Sequence, residues 1–321
     1  MSQSKFIGGL MGAFVGDAVG VPYEFISRSN MRKKPCVDMV GYGTHMQPRG
    51  SWSDDSTMIY ASMDALLKDQ AYHPVTFMDN FLAWMTEGAF TPFNEVFDMG
   101  VSTGFAINKY SELKKIRSAE FAALNSGYSD ERSNGNGSLM RMMPVSLYSL
   151  GMSKPEAYQL ACDVSALTHA HAISRQTCAF FTLLIHRLKE FGTDVCQALA
   201  ATQADYVRIS EELGYMIPQD VRQTLLERDL KQRPAEAFRS KGYVLGTLEM
   251  AIWAMLNFTD YKQAILAVVN EGHDTDTNAC VTGALLGYIY GEEAIPVDWK
   301  AGLVNHAGVS AVMQDFYHFC G

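Results

Sequence analysis

Apolar residues recur every three or four positions along most of the chain, which is the spacing of one face of an α-helix. Runs that alternate apolar and polar residues are scarce, and no strand–helix–strand rhythm is visible. The pattern therefore predicts an all-α protein, a compact multi-helix bundle in which residues 1–321 form a single domain. The main helices are predicted at 6–19, 56–68, 75–87, 94–110, 153–170, 180–185, 193–213, 219–230, 242–257, 260–270, 279–290, 297–304 and 308–318.

The first predicted helix is rich in glycine. Gly8, Gly9, Gly12 and Gly16 stand among large apolar residues. Glycines at this spacing usually permit two helices to pack closely, and we expect that role here. They do not form a dinucleotide-binding fingerprint, because no predicted strand precedes them.

Two predicted helices follow acidic turns. Residues 52–57 read Trp-Ser-Asp-Asp-Ser-Thr, and residues 271–279 read Glu-Gly-His-Asp-Thr-Asp-Thr-Asn-Ala. The free N–H groups at a helix start favour carboxylates, so capping explains either turn alone. Capping needs only one acidic residue, however, and each of these turns carries a pair. We therefore expect the fold to bring the two turns together in one site.

The two turns together would bury four carboxylates, which repel each other strongly without compensation. Two divalent cations would neutralise that charge. Carboxylate and hydroxyl oxygens suit Mg²⁺ or Mn²⁺ best, and Ca²⁺ less well. The candidate metal ligands are Ser53, Asp54, Asp55, Asp274, Asp276 and Thr277.

Three further segments carry residues with candidate chemistry. Glu24 stands in apolar surroundings between Tyr23 and Phe25, as either a paired structural residue or a tuned acid or base. The glycine-rich turn at 135–138 precedes an apolar helix that ends near 150, and such a turn can cradle phosphate. His169 lies at the end of the helix predicted at 153–170. Local sequence alone favours the structural interpretation of all three segments.

Length, charge and cysteine content limit the classes of protein to which this chain can belong. The chain has 321 residues, 48% of them hydrophobic, so it can bury a large core. A net charge of −9 argues against a nucleic-acid surface. The six cysteines form no C-x-x-C pair, and we expect several of them to be buried thiols, which fits the reducing cytoplasm. We also expect a monomer. No signal peptide or membrane span is expected, because the N-terminus lacks a basic start and polar residues interrupt the apolar runs.

These segments, taken together, resemble the ADP-ribosylglycohydrolase family. The resemblance runs from Gly8 to Gly291 and rests on five motifs in order, at 16–24, 52–57, 135–141, 168–169 and 272–279. It implies an all-α fold with two Mg²⁺ or Mn²⁺ ions. It also implies hydrolysis of the bond between ADP-ribose and a protein side chain, with arginine the favoured residue and ADP-ribose the product. ADP-ribosylated serine, another modified residue and a small ADP-ribosylated metabolite are alternative substrates.

The resemblance also implies roles for individual residues. It assigns the six oxygen ligands named above to the metals, and Glu24 or Asp55 to the attacking water. It implies that Asn136, Gly137, Ser138 and His169 line the ADP-ribose cleft. The sequence departs from the family at Ser53, where threonine is usual, and at His273, where glycine is frequent. The side chain of His273 would either reach the cleft or face solvent.

A second class of function is an immunity-type or binding protein that neutralises an ADP-ribosylating toxin, by hydrolysis or by occlusion. An occluding protein would not need six metal-ligand positions. The sequence therefore favours the enzyme.

Overall fold

The computed structural model describes residues 2–234 and 237–321. The regular secondary structure of these residues is helical, and none of them belongs to a β-sheet. The all-α prediction is confirmed. The α-helices are α1 Gln3–Gly20, α2 Arg28–Lys33, α3 Asp54–Asp69, α4 Pro74–Glu87, α5 Val101–Lys114, α6 Ala119–Leu124, α7 Met142–Tyr148, α8 Lys154–Ala166, α9 Ala172–Phe191, α10 Val195–Glu212, α11 Gln219–Val221, α12 Val244–Asn257, α13 Tyr261–Val269, α14 Thr275–Tyr290, α15 Val297–Ala301 and α16 His306–Cys320.

Three helix predictions need correction. The helix expected at 94–110 begins only at Val101, because the Gly100 N–H donates to Asp54 Oδ2 and Gly100 caps α5. The helix expected at 153–170 ends at Ala166, and the following segment pairs through its backbone with Tyr128. The helix expected at 219–230 is wrong beyond Leu226, since a short helix and a π-helical turn give way to a loop.

Helices α1 and α14 form the centre of the molecule and are buried along almost their whole length. The other helices surround them, with α3, α7, α12, α13 and α16 packed on the central pair. A further layer lies outside, where α9 packs against α8 and α10. The core is thus continuous from the central pair to this outer layer.

Glycines allow α1 and α14 to approach backbone to backbone. A Cβ atom at Gly12 would lie 2.2 Å from the carbonyl oxygen of Gly283. At Gly16, a Cβ atom would lie 2.1 Å from the carbonyl oxygen of Ala279. Distances below 3.0 Å leave no room for a side chain, so the role predicted for these glycines is confirmed.

The apolar segment at the N-terminus is longer than the apolar runs that the sequence predicted. Residues 3–23 have the length and apolar character of a membrane-spanning helix, with a mean hydropathy of 1.3. The rest of the protein nevertheless buries 94% of this apolar window. The burial of α1 at the centre of the core accounts for its composition.

Substituting Gly12 with alanine should destabilise the protein, because the added methyl group must push α1 and α14 apart. Overpacking of this kind costs about 1–3 kcal/mol. Urea unfolding followed by circular dichroism should show a lower midpoint for Gly12→Ala. The matched control is Gly151→Ala, since nothing lies within 4 Å of a Cβ atom at that position. Equal midpoints for the two variants would contradict the packing argument.

Candidate active site

The C-terminal end of α1 holds both acidic turns. Asp17 accepts hydrogen bonds from the backbone N–H groups of Ser53 and Ser56, both at 3.0 Å, and from the Ser56 hydroxyl at 2.6 Å. The carbonyl oxygen of Gly20 accepts a bond from the Thr275 hydroxyl at 2.7 Å. One helix therefore fixes the first turn of α3 and the first turn of α14. No role was predicted for Asp17, although it belongs to the sequence motif at 16–24.

The predicted convergence of the two turns is present. Asp55 Oδ2 accepts from the hydroxyl of Ser53 at 3.0 Å and from the hydroxyl of Thr277 at 3.2 Å. Carboxylate oxygens of Asp17, Asp55 and Asp276 lie within 4.8 Å of one another. The described part of the chain offers no hydrogen-bond partner to Asp55 Oδ1 or Asp276 Oδ2, although both are buried. Buried carboxylate oxygens without partners are costly, and they suit a cation.

Electrostatics indicate the same chemistry. Burial raises the pKa of Asp54, Asp55 and Asp276 well above the usual aspartate range, and neighbouring carboxylates raise it further. The charged forms of these groups are therefore unfavourable when no positive charge is near. Divalent cations would reverse the direction of these shifts by favouring the ionised forms. The arrangement fits the all-oxygen ligand set of a hard metal ion.

A cavity of about 670 Å³ opens above the acidic turns. Its volume is that of a typical small-ligand site. Several predicted site residues line it, whereas four others lie behind the lining. The lining includes Glu24, Asp54, Asn136, Gly137, His169, Asp274 and Thr277, and those behind it are Ser53, Asp55, Ser138 and Asp276.

Asn136 connects the glycine-rich turn to the acidic site. Its side-chain amide donates to Asp274 Oδ2 at 2.6 Å and to the Thr247 hydroxyl at 2.9 Å. Ser138, in contrast, turns its hydroxyl into the core, where it accepts from Ser165 Oγ at 2.9 Å and lies 3.4 Å from Cys178 Sγ. Its side chain is therefore not placed to contact a ligand in the cavity.

Arg141 fixes the glycine-rich turn against His169. The fully buried guanidinium donates to the carbonyl oxygen of Gly137 at 2.7 Å and to the Thr168 hydroxyl at 2.9 Å. That hydroxyl lies 2.8 Å from His169 Nδ1. Burial lowers the pKa of His169 to about 3, so its imidazole is neutral at physiological pH. His169 is thus hydrogen-bonded, as the local sequence suggested, and also lines the cavity.

Glu24 lies at the edge of the cavity, with its residue only 6% exposed. Its carboxylate bonds to His45 Nε2. Burial raises the pKa of Glu24 to about 7, while the bond from His45 acts in the opposite direction. Phe25 contributes little to this burial because it is 67% exposed, which corrects the expectation that both flanking residues surround Glu24.

Segments between the α-helices supply site residues that sequence reasoning missed. His45 pairs with Glu24, and Asp98 and Lys241 line the cavity. All three lie outside the recognised motifs, and Asp98 falls in the part of the helix expected at 94–110 that precedes α5 in the structure. His273 also lines the cavity, which answers whether this departure from the family faces the cleft or solvent.

Comparisons with known proteins agree with this geometry. The sequence model of the ADP-ribosylglycohydrolase family matches residues 1–320. The chain is 26% identical to ADP-ribosylarginine hydrolase Tri1 of Serratia proteamaculans (strain 568), over 99% of this chain and 80% of that protein. It is 24% identical to the ADP-ribosyl-(dinitrogen reductase) glycohydrolase of Rhodospirillum rubrum, over 94% of this chain and 90% of that protein. A solved "ADP-ribosylglycohydrolase-related protein complex" is similar with a TM-score of 0.78 at 26% identity, covering 99% of both chains.

Proposed function

The chain belongs to the ADP-ribosylglycohydrolase family, and we propose that it is a metal-dependent enzyme that removes ADP-ribose from modified arginine side chains of proteins. Its relatives are hydrolases of glycosyl bonds, and two of the similar bacterial proteins are named ADP-ribosylarginine hydrolases. The observation that carries the proposal is the convergence of two acidic turns beneath one cavity, with unpartnered carboxylate oxygens between them.

Two divalent cations, Mg²⁺ or Mn²⁺, fit the donor set. When bound, they would supply Lewis acidity toward ribose hydroxyls and an attacking water molecule. The chain contributes the rigidity of the site, because α1 holds both turns and Asn136 orients Asp274. The ligands would be Ser53, Asp54, Asp55, Asp274, Asp276 and Thr277.

Glu24 is the better candidate than Asp55 for orienting and deprotonating the attacking water. Glu24 lines the cavity, whereas Asp55 lies beneath it and accepts bonds from two hydroxyls. Cleavage of the glycosidic bond builds positive charge on the distal ribose, which nearby carboxylates stabilise. Divalent cations beside Glu24 would favour its ionised form, and a carboxylate at this position can orient an attacking water and accept its proton.

The diphosphate of ADP-ribose would lie along the wall of the cavity that the glycine-rich turn forms. The Asn136 N–H is not free for it, since it donates to the carbonyl oxygen of Gly242 at 3.0 Å. Lys241, beside Gly242, provides a positive charge in the cavity lining. We therefore assign diphosphate binding to the Gly135–Ser138 turn together with Lys241, and not to the turn alone. Neutral His169 completes this wall.

An immunity-type protein that acts only by occluding a toxin is the alternative. Such a protein has no use for buried carboxylates that destabilise it in the absence of a cation. Toxin neutralisation by hydrolysis is compatible with the proposed activity. The cytoplasmic location and the monomeric state stay predictions.

The proposed function is tested by incubating the purified chain with an arginine-ADP-ribosylated protein and measuring free ADP-ribose. Release should stop with a chelator and return with Mg²⁺ or Mn²⁺. Asp274→Ala should abolish release, because it removes a metal ligand, while Asp315→Ala on the exposed face of α16 should not. No release with either metal would overturn the proposal. Toxin inhibition that persists in Asp274→Ala without any hydrolysis would favour occlusion.

Substituting Glu24 with glutamine should lower turnover by about 10²-fold, the usual contribution of general acid–base catalysis. Glutamine keeps the shape of the side chain but cannot accept a proton from water. Binding of metal and of free ADP-ribose should be retained, and the exposed Glu211→Gln serves as the control. Normal turnover, or loss of the folded state, would show that Glu24 is structural and would return the role to Asp55.

A further inference from the structure

Phe25 has an unusual backbone and an unusual exposure for an aromatic residue. Its φ is 64°, in the left-handed region that bulky residues rarely adopt, and its side chain is 67% exposed at the cavity lining. Such conformations persist only where the surrounding structure enforces them, and they cluster at ligand sites. Packing of the core does not explain the position of this ring.

Two backbone hydrogen bonds hold Phe25 in place. Its N–H donates to the carbonyl oxygen of His273 at 2.6 Å, and the N–H of His273 donates to the carbonyl oxygen of Ile26 at 2.7 Å. The segment that carries Glu24 is therefore tied directly to the acidic turn before α14. The ring of Phe25 is fixed relative to the end of the cavity at which the glycosidic bond would be cleaved.

The surroundings of Phe25 favour a planar cation. Its ring centroid lies 5.8 Å from that of His45, which bonds to the Glu24 carboxylate. Oxygens of Glu24 and Asp98 lie within 4.8 Å of each other in the same cluster. An aromatic face attracts a guanidinium through its quadrupole, and adjacent carboxylates add to that attraction. A neutral hydroxyl-linked residue would gain neither interaction.

We propose that Phe25 stacks on the guanidinium of an ADP-ribosylated arginine and makes the enzyme prefer arginine-linked over serine-linked substrates. This inference rests on the proposed function, and it names the residue that selects the substrate. The adenine ring could also stack on an aromatic face. The diphosphate and the distal ribose separate adenine from the cleaved bond, however, whereas Phe25 adjoins Glu24 at that bond.

The test compares kcat/KM for an arginine-linked and a serine-linked ADP-ribosyl peptide, and inhibition by free ADP-ribose, in wild type and variants. Phe25→Ala should lower kcat/KM for the arginine peptide by roughly 3- to 30-fold, the range of cation–π interactions. The value for the serine peptide and the inhibition by ADP-ribose should stay unchanged. Phe25→Tyr should restore most of the loss, since it restores the aromatic face. Phe105→Ala is the matched control, because Phe105 is 59% exposed outside the cavity lining.

Equal losses on both peptides, or no loss on either, would overturn the role of Phe25. Weaker inhibition by ADP-ribose in Phe25→Ala would also overturn it, because that result would place the adenine on the ring. A folded wild-type protein that releases ADP-ribose from neither peptide would overturn the proposed function, and this inference with it. Thermal unfolding of each variant confirms that the comparison is made between folded proteins.

Discussion

The close approach of α1 to α14 is the constraint on which the rest of the structure depends. Backbones that meet at Gly12 and Gly16 leave no volume for side chains, so the two helices keep one register. That register places the end of α1 against the first turn of α14, where Gly20 accepts a bond from Thr275. It also places Asp17 where its carboxylate binds the first turn of α3. The acidic site is therefore a consequence of helix packing, not of flexible loops.

The acidic site destabilises the metal-free protein. Carboxylates from three helices are buried together, and some of their oxygens have no partner in the described residues. Hydroxyls and helix N-termini offset part of the repulsion but cannot neutralise the charge. A divalent cation bound among these carboxylates would remove the repulsion. The cavity above is lined by carboxylates and by a cation, Lys241.

Local sequence patterns predicted much of the site. They did not predict residues whose position depends on tertiary contacts. Paired carboxylates at two helix starts predicted the convergence, and the glycine spacing predicted the helix packing, because both signals lie within single segments. Asp17 gave no such signal, since its function exists only once α3 packs beside α1. Lys241 reaches the cavity from a turn, His45 reaches Glu24 from a short 3-10 helix, and no periodicity in the sequence predicts either position. The resemblance to the family identified the cleft, but the side chain of Ser138 lies behind it.

Anomalous X-ray diffraction from crystals grown with Mn²⁺ tests most directly whether the two acidic turns form one dinuclear metal site. We expect two anomalous peaks between the first turns of α3 and α14, within direct coordination distance of the oxygens of Asp55 and Asp276 and of the other proposed ligands. The same experiment on Asp276→Ala should lose at least one peak while the helices keep their arrangement. Wild-type crystals with no peak between these turns, or with peaks only at other surface carboxylates, would contradict the account.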